Sequence, residues 1–325
     1  MFYECYVGVT FFFVLSGLLI TLRYSDEIIN YKTYFVNRFA RIYPMWFLLT
    51  LLTFLFTFSN NFEWFRLLFV NLTFLKGFSN DLKMTGIDAG WTLTVEECFY
   101  FLAPVLIYLL TKKKILLLIL PIVFIIAGAI LHYFFTAIDL PAFQNFNFIF
   151  LYTIFGRSWE FLIGIFAALL FKKHKERIIS FYNNNFGLNT LFIICIISVI
   201  GLLAYIKEPW YNDATIGGVI ISNFILPIFI VLFYLGLMVK KDLWNKVIAS
   251  KPFIVGGKAS FTFYLIHQGI IHTNLTQLLD KANINMFRYP IEFCLIAGLS
   301  ILLYYYVEAP LNKKIKLIFM KRKMI

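Results

Sequence analysis

Residues 91–110 read WTLTVEECFYFLAPVLIYLL, an apolar segment that opens with an indole, two adjacent carboxylates and a phenol. A helix of about 20 mostly apolar residues is long enough to cross the hydrocarbon core of a bilayer. A carboxylate at the border of hydrocarbon is costly unless it is paired, neutralised or hydrated. The length of the apolar segment therefore predicts a membrane span, and Glu96 and Glu97 make it a candidate functional site.

Composition extends the membrane interpretation to the whole chain. Of its 325 residues, 61% are hydrophobic and 14% are charged, whereas soluble domains are about 45–50% apolar and about 25% charged. Cys5, Cys98, Cys195 and Cys294 are far apart and lack metal-ligand spacing, so neither a disulfide framework nor a metal site is predicted. We expect an all-α integral membrane protein formed by a single domain, residues 1–325.

Apolar segments of spanning length recur along the chain and predict about nine transmembrane helices. They lie near residues 5–22, 43–58, 97–111, 115–135, 148–171, 188–206, 214–238, 260–279 and 289–308. The apolar segment 62–76 is short and interrupted by charged and polar residues, which favours an interfacial or re-entrant helix. Pro310 is expected to end the last helix because proline removes a backbone donor and clashes with the preceding turn.

The positive charges alternate from loop to loop. Basic clusters occur at residues 23–41, 112–114, 172–177, 240–251 and 313–323, and the intervening loops have few. Cytoplasmic loops are enriched in Lys and Arg, so the net charge of +12 is interpreted as a topology signal with the C-terminus in the cytoplasm. The positive charge is then explained by the orientation of the protein in the lipid bilayer, which is its expected partner, and binding to nucleic acid is not expected.

Glu96 and Tyr100 are four residues apart and share one helical face, with Thr92 one turn earlier. Such a carboxylate can act as a general base, orient a histidine or bind a cation. The alternative is a helix N-terminus in which Thr94 is the N-cap and the carboxylates favour the first turn. This stretch alone leaves the two interpretations equally supported.

Arg38 and Arg41 are three residues apart at the entry of the second predicted span. Paired guanidinium groups suit phosphate groups because each presents a planar fork of donors. Topology-determining charge and contact with lipid head groups explain the same pair, and without further context they are favoured.

Three other features place polar or small residues inside apolar spans. Ser16 and Gly17 form a small-residue notch, for which helix packing is the favoured role. Arg157 and Glu160 are spaced to form an intramembrane ion pair, either structural or lining a hydrated cavity. His267 is the one histidine that we retain as a candidate, although a packed ring with satisfied nitrogens is favoured over catalysis.

Six motifs occur in a fixed order. They are Phe-Phe-x-x-Ser-Gly from Phe12, Arg-x-x-Arg-Ile-x-Pro from Arg38, Trp-Thr-Leu-x-x-Glu-x-x-Phe-Tyr from Trp91, Arg-x-x-Glu-x-x-x-Gly from Arg157, Ser-Phe-x-x-Tyr-Leu-x-His from Ser260 and Val-Glu-x-Pro from Val307. Together they resemble the membrane-bound acyltransferase 3 family over residues 7–314.

The resemblance implies a multi-pass enzyme of the bacterial inner membrane with ten helices in the complete fold. It implies transfer of an acyl group, often acetyl, from cytoplasmic acyl-coenzyme A to a hydroxyl of a cell-surface polysaccharide or lipid-linked glycan. Acyl-coenzyme A is then a substrate, and no tightly bound cofactor is expected.

The family's functional positions map onto matching residues of this sequence. Arg38 and Arg41 match the pair that engages the coenzyme A phosphates, and Phe12, Ser16 and Gly17 match the early span motif. Trp91, Glu96 and Tyr100 match the motif near the acceptor, and Glu96 and Tyr100 are the candidate catalytic residues here.

Family members carry a further first helix with an Arg and, later, the His regarded as catalytic, whereas this sequence begins at the second family helix. We therefore expect a late start site or an interrupted gene, with Glu96 as the partner of a base that lies upstream. Two alternatives remain: a transporter or flippase of lipid-linked glycans, and an inactive truncated acyltransferase.

Overall fold

The structure is a computed structural model that describes residues 6–26, 30–138, 142–143, 145–185, 187–205, 215–239, 242–281 and 288–320. These ranges form helices, turns and loops and contain no strand. The α-helices are α1 (Tyr6–Tyr24), α2 (Tyr31–Phe56), α3 (Phe62–Leu72), α4 (Trp91–Lys112), α5 (Leu116–Ala137), α6 (Phe146–Tyr152), α7 (Ile154–Asn184), α8 (Leu188–Tyr205), α9 (Ile216–Ile220), α10 (Leu226–Val239), α11 (Leu243–Ile248), α12 (Lys251–Ile266), α13 (Ile270–Lys281), α14 (Arg288–Leu303) and α15 (Ala309–Met320). Short 3₁₀ turns occupy Leu75–Phe78 and Asp88–Gly90, and π-helical segments occupy Ile221–Ile225 and Tyr304–Glu308.

Eight helical stretches in the described ranges are long and apolar enough to cross a membrane. They are Val7–Tyr24, Tyr31–Phe56, Asp88–Lys112, Leu116–Ala137, Phe146–Asn184, Leu188–Tyr205, Ile216–Val239 and Arg288–Met320. Each overlaps one predicted span, so the prediction of an all-α polytopic membrane protein is confirmed. The 11 residues of α3 are too few to cross, in agreement with the short helix expected near 62–76.

The prediction of one continuous span over 260–279 is wrong. Helix α12 ends at Ile266 and α13 begins at Ile270. Gly269 lies between them with φ of +90°, a left-handed conformation that interrupts a right-handed helix and favours glycine. The apolar run therefore forms two helices of 16 and 12 residues, each shorter than a full crossing requires.

Two helices begin earlier than their apolar patterns suggest. Helix α2 starts at Tyr31 rather than near residue 43, because the Asn30 side chain accepts a hydrogen bond from the backbone N–H of Thr33 at 3.1 Å and caps it. Helix α4 starts at Trp91, directly after the 3₁₀ turn. Thr94 therefore lies inside α4, and the interpretation of Thr94 as its N-cap is wrong.

The prediction that Pro310 ends the last helix is also wrong. Helix α14 passes into the π-helical segment, and α15 continues from Ala309 to Met320. Pro310 is the second residue of α15, directly after the π-helical segment, and the missing proline N–H removes one donor from this continuous helix. The wider π turn accommodates the change of hydrogen-bonding pattern before the proline.

The chain divides into two compact units. The first comprises residues 1–29, 78–80 and 92–247, with α7 packed against α1, α5, α6 and α10. An apolar core of this unit includes the aliphatic residues Val14, Leu18, Ile163, Ala168, Leu226 and Ile230.

Helices α1 and α7 of the first unit approach each other closely at two glycines. A β-carbon added to Gly17 would overlap the backbone carbonyl of Phe161, and one added to Gly164 would overlap the carbonyl of Val14. The two glycines therefore let the backbones touch, as small residues do at helix contacts in membranes. Gly17 thus packs against α7, in line with the helix-packing role that the sequence favoured for the Ser16–Gly17 notch.

The second unit comprises residues 30–77, 81–91 and 248–325. Helix α12 packs against α14, and α2 packs against α15 and α3. Trp64 of α3 contacts Phe54 of α2 edge-on, and its indole N–H donates to the Phe54 carbonyl at 3.3 Å. This pairing fixes the short α3 alongside the end of α2.

Substitution of Gly17 or Gly164 by alanine should lower the stability of the protein. The added methyl group meets backbone atoms that cannot rotate away, and overpacking of this kind typically costs about 1–3 kcal/mol. The measurement is the apparent melting temperature in detergent. Gly8→Ala is the matched control on α1, because no atom lies within 4 Å of its added β-carbon. Equal melting temperatures for Gly17→Ala and Gly8→Ala would contradict this packing.

Candidate functional site

The first unit brings Glu96, Tyr100 and Ser16 together. Glu96 is fully buried and Tyr100 nearly so, and the Tyr100 hydroxyl donates to Glu96 Oε1, as their spacing on one face of α4 predicts. Ser16 of α1 donates to the same oxygen at 3.4 Å. Two hydroxyl donors therefore converge on one buried carboxylate oxygen, and their hydrogen bonds fix the position of the Glu96 side chain.

Three stacked rings connect α1, α7 and α4 close to Ser16 and Glu96 in the sequence. Phe13 of α1 stacks on Phe161 of α7 at 4.5 Å between ring centroids, and Phe161 stacks on Phe99 of α4 at 4.1 Å. All three rings are fully buried. Phe13 precedes Ser16 by one turn and Phe99 follows Glu96 by one turn, so the stack sets the distance between the two polar side chains.

A second polar cluster in the same unit surrounds Arg157 and Glu160. Arg157 Nε lies 3.2 Å from Glu160 Oε2, and both side chains are buried. Thr10 donates to Glu160 Oε1 at 2.9 Å, and Arg157 Nη1 donates to the Asn223 side-chain oxygen at 2.7 Å. The predicted ion pair is present, and each charge has a further polar partner, which is the arrangement that buried charges require.

Asn223 belongs to the π-helical segment Ile221–Ile225. Its amide nitrogen donates to the carbonyls of Phe150 and Gly156 at 3.0 and 3.3 Å. These carbonyls flank the junction of α6 and α7. The Asn223 side chain therefore hydrogen-bonds both to the backbone of this junction and to the Arg157 guanidinium. π-Bulges frequently occur where a helix must present a polar group at a functional site.

The second unit contains Arg41 and Glu308. Arg41 Nη1 lies 3.7 Å from Glu308 Oε1, and Thr262 of α12 donates to Glu308 Oε2 at 2.6 Å. Glu308 closes the π-helical segment Tyr304–Glu308 and is 3% exposed, whereas the Arg41 side chain is 41% exposed. Arg41 therefore reaches solvent beside an anchored carboxylate.

The remaining candidates also fall in the second unit. Arg38 is half-buried, one turn before Arg41 on α2, and Trp91 is buried at the start of α4. His267 is buried in the turn after α12, where its Nδ1 lies 2.6 Å from the Tyr264 carbonyl and its ring stacks on Phe263. The sequence favours the same kind of role for His267, a packed ring with satisfied nitrogens rather than a catalytic base.

The predicted residues therefore divide into two groups. The first unit holds Phe12, Ser16, Gly17, Glu96, Tyr100, Arg157 and Glu160, and the second holds Arg38, Arg41, Trp91 and His267. The described residues contain no group of three or more His, Cys, Asp or Glu side chains that could hold a metal ion. The exposed guanidinium of Arg41 is suited to an anionic group instead.

Several partners were missed at the sequence level. Thr10 and Asn223 are polar residues inside apolar spans, a signal that marks a buried polar network without naming its members. Glu308 stands in the Val-Glu-x-Pro motif, but sequence spacing does not reveal that it faces Arg41. Nothing in the sequence pattern marked Lys76 as a structural or functional residue.

Lys76 is fully buried in the 3₁₀ turn Leu75–Phe78. Its amine donates to the carbonyls of Thr85 and Ile87 at 2.5 and 2.7 Å and lies 5.7 Å from the Trp46 ring centroid. The amine therefore fixes the segment that leads into α4. Burial lowers the pKa of Lys76 to about 7, against an opposing contribution from the Asp88 carboxylate.

Comparison with known proteins now identifies the family. A family model described as "Acyltransferase domain" matches residues 5–308, nearly the whole chain. The chain belongs to the acyltransferase 3 family. Three relatives are the proteins of Staphylococcus aureus strains COL, MSSA476 and N315 that each bear the name "Putative O-acetyltransferase".

Each of these relatives is 25% identical over 346 residues, and the match covers 95% of this chain and 53% of the relative. The chain thus spans about half the length of the curated relatives that it matches. No solved structure matches it.

Replacing Lys76 with methionine should destabilise the protein, because two buried carbonyls lose their donor at about 1–3 kcal/mol each. The difference should grow with pH. Since the pKa of Lys76 falls from 10.5 to about 7 on folding, the unfolded chain binds more protons between these values, and wild-type stability rises with pH across that window.

The measurement is the stability difference between wild type and Lys76→Met at pH 7.5 and pH 9. We expect an increase of about 1 kcal/mol per pH unit. Lys113→Met, which removes an exposed amine, controls for the general effect of pH. A difference independent of pH would contradict this account of Lys76.

Proposed function

We propose that the chain forms the membrane part of an O-acyltransferase that moves an acyl group, with acetyl the favoured one, from acyl-coenzyme A to a glycan hydroxyl. The acceptor is a cell-surface polysaccharide or a lipid-linked saccharide. In this reaction the thioester C–S bond breaks, an ester C–O bond forms, and the hydroxyl proton passes to the coenzyme A sulfur. Coenzyme A leaves as the free thiol.

The observation that carries this proposal is the buried Glu96 cluster within a chain of the acyltransferase family. Glu96 lies in the motif that distinguishes the sequence, and its carboxylate already accepts from two hydroxyl groups. A carboxylate that gathers hydroxyl donors can orient an acceptor hydroxyl or a histidine base. We assign Glu96 and Tyr100 to this positioning of the reacting groups.

We assign Arg38 and Arg41 to the phosphate groups of the donor. They lie one turn apart on α2, and the exposed guanidinium of Arg41 presents a fork of donors that matches phosphate oxygens. A lipid head group satisfies the same chemistry, so kinetics must separate the two. Donor binding predicts a change in the Michaelis constant for acyl-coenzyme A.

The proposed location is the bacterial inner membrane, with several crossings and the C-terminus in the cytoplasm. The basic clusters at 112–114, 172–177 and 313–323 then face the cytoplasm. This orientation places Arg38 and Arg41, which belong to another basic cluster, on the side that contains acyl-coenzyme A.

The test is transfer of radiolabelled acetyl from acetyl-coenzyme A to host glycans by membranes that contain the chain. Arg41→Met should raise the Michaelis constant for the donor, with kcat/KM falling about 10- to 100-fold, the value of a lost charge-assisted contact. Glu96→Gln should instead lower kcat, because it acts on the reacting groups rather than on donor binding.

Arg66→Met is the matched arginine control. Its guanidinium lies on α3 and pairs with Glu63 at 2.6 Å, so donor kinetics should remain unchanged. The proposal fails if membranes with wild-type protein, including an upstream-extended form, transfer no label. Movement of a lipid-linked glycan that persists in Arg41→Met would indicate transport instead.

A further inference from the structure

A cavity of about 620 Å³ lies in the second unit between α2, the π-helical segment and α15. Its lining consists of Arg41, Tyr304, Glu308, Ala309, Asn312, Lys313, Lys316, Leu317 and Met320. Cavities of about 300–1,000 Å³ are typical of small-molecule sites. The volume is therefore sufficient for the polar end of a nucleotide-sized ligand.

The charges of this cavity are arranged for an anion. Among its nine described lining residues, Arg41, Lys313 and Lys316 are positive and Glu308 is negative. Lys313 and Lys316 are three residues apart, so they lie on one face of α15. Lys314 is exposed on the same helix and does not line the cavity. Two of the three lysines of α15 thus line the cavity.

Glu308 is anchored by one oxygen only. Its Oε2 accepts from Thr262 at 2.6 Å, and its buried Oε1 has no hydrogen-bond partner among the described residues. Arg41 lies 3.7 Å from that oxygen, which is beyond hydrogen-bond distance. Within the described ranges Arg41 is therefore held at Glu308 by charge, and it can turn towards a stronger anion without breaking a hydrogen bond to this carboxylate.

We propose that Lys313 and Lys316 complete the phosphate site of the acyl donor with Arg41, and that Glu308 is a counter-ion which Arg41 leaves when phosphate binds. This inference rests on the proposed function and adds the residues of α15 to it. Apolar lining by Leu317 and Met320, with the Tyr304 ring, suits the uncharged part of a nucleotide. The ligand class is an adenine nucleotide with more than one phosphate group.

The test is binding of adenosine 3′,5′-bisphosphate to the purified full chain in nanodiscs of neutral phosphatidylcholine, measured by calorimetry. Lys313→Ala and Lys316→Ala should each weaken binding about fivefold, as expected for partly exposed charge pairs. Glu308→Gln should strengthen binding about threefold or more, because glutamine keeps the Thr262 hydrogen bond and removes the competing charge. Lys314→Ala should bind as wild type does.

Unchanged affinity in both Lys313→Ala and Lys316→Ala, or equal weakening by Lys314→Ala, would overturn the proposal.

Nanodiscs with phosphatidylglycerol separate the two phosphate sources, the nucleotide and the lipid head group. If anionic lipid abolishes nucleotide binding and the lysine variants reduce lipid retention instead, the cavity is a head-group site and the donor assignment is wrong. Binding is measured without acyl transfer, so intact nucleotide binding in a chain with no transferase activity would contradict only the proposed function.

Discussion

The backbone contact between α1 and α7 is the constraint on which the first unit depends. At Gly17 and Gly164 each helix occupies the space that a β-carbon of the other would need. This approach brings Phe13 onto Phe161, and it places Thr10 on Glu160 and Ser16 on Glu96. One face of α1 thus supplies a hydroxyl to each of two buried carboxylates, with a ring between them.

Both units bury polar and charged side chains among apolar helices, and these side chains need polar partners. A buried charge is tolerated only when it is paired and hydrogen-bonded. Two buried and paired carboxylates, one in each unit, also accept from a threonine: Thr10 for Glu160 and Thr262 for Glu308. Each unit also contains a π-helical segment that carries a member of its polar cluster, Asn223 or Glu308. The extra residue of a π turn rotates one side chain out of the regular helical pattern.

Features within one helix were predictable from the sequence. The spacing of Glu96 with Tyr100, and of Arg157 with Glu160, fixes their proximity on one helical face, and the structure shows both contacts. The eight overlapping spans follow from apolar length, and the family follows from the order of the motifs.

Features that depend on two distant segments were not predictable. Helical periodicity shows which residues share a face but not which faces meet, so the contact of Arg41 with Glu308 and the role of Lys76 were missed. The break at Gly269 and the passage through Pro310 depend on local backbone conformations that apolar length does not encode. The functional roles of all the candidate residues, including Glu96, Tyr100, Arg38 and Arg41, stay predictions.

The central claim is that the contact of α1 with α7 positions Ser16 and Phe13 for the carboxylate of Glu96, and that this carboxylate serves acyl transfer. The most direct measurement is a double-mutant cycle on transferase activity per folded molecule, with Gly17→Ala, Glu96→Gln and the combined variant. If the glycine acts through Glu96, the combined variant loses no more activity than Glu96→Gln alone. Losses that multiply would show that the two residues act independently and would contradict the account.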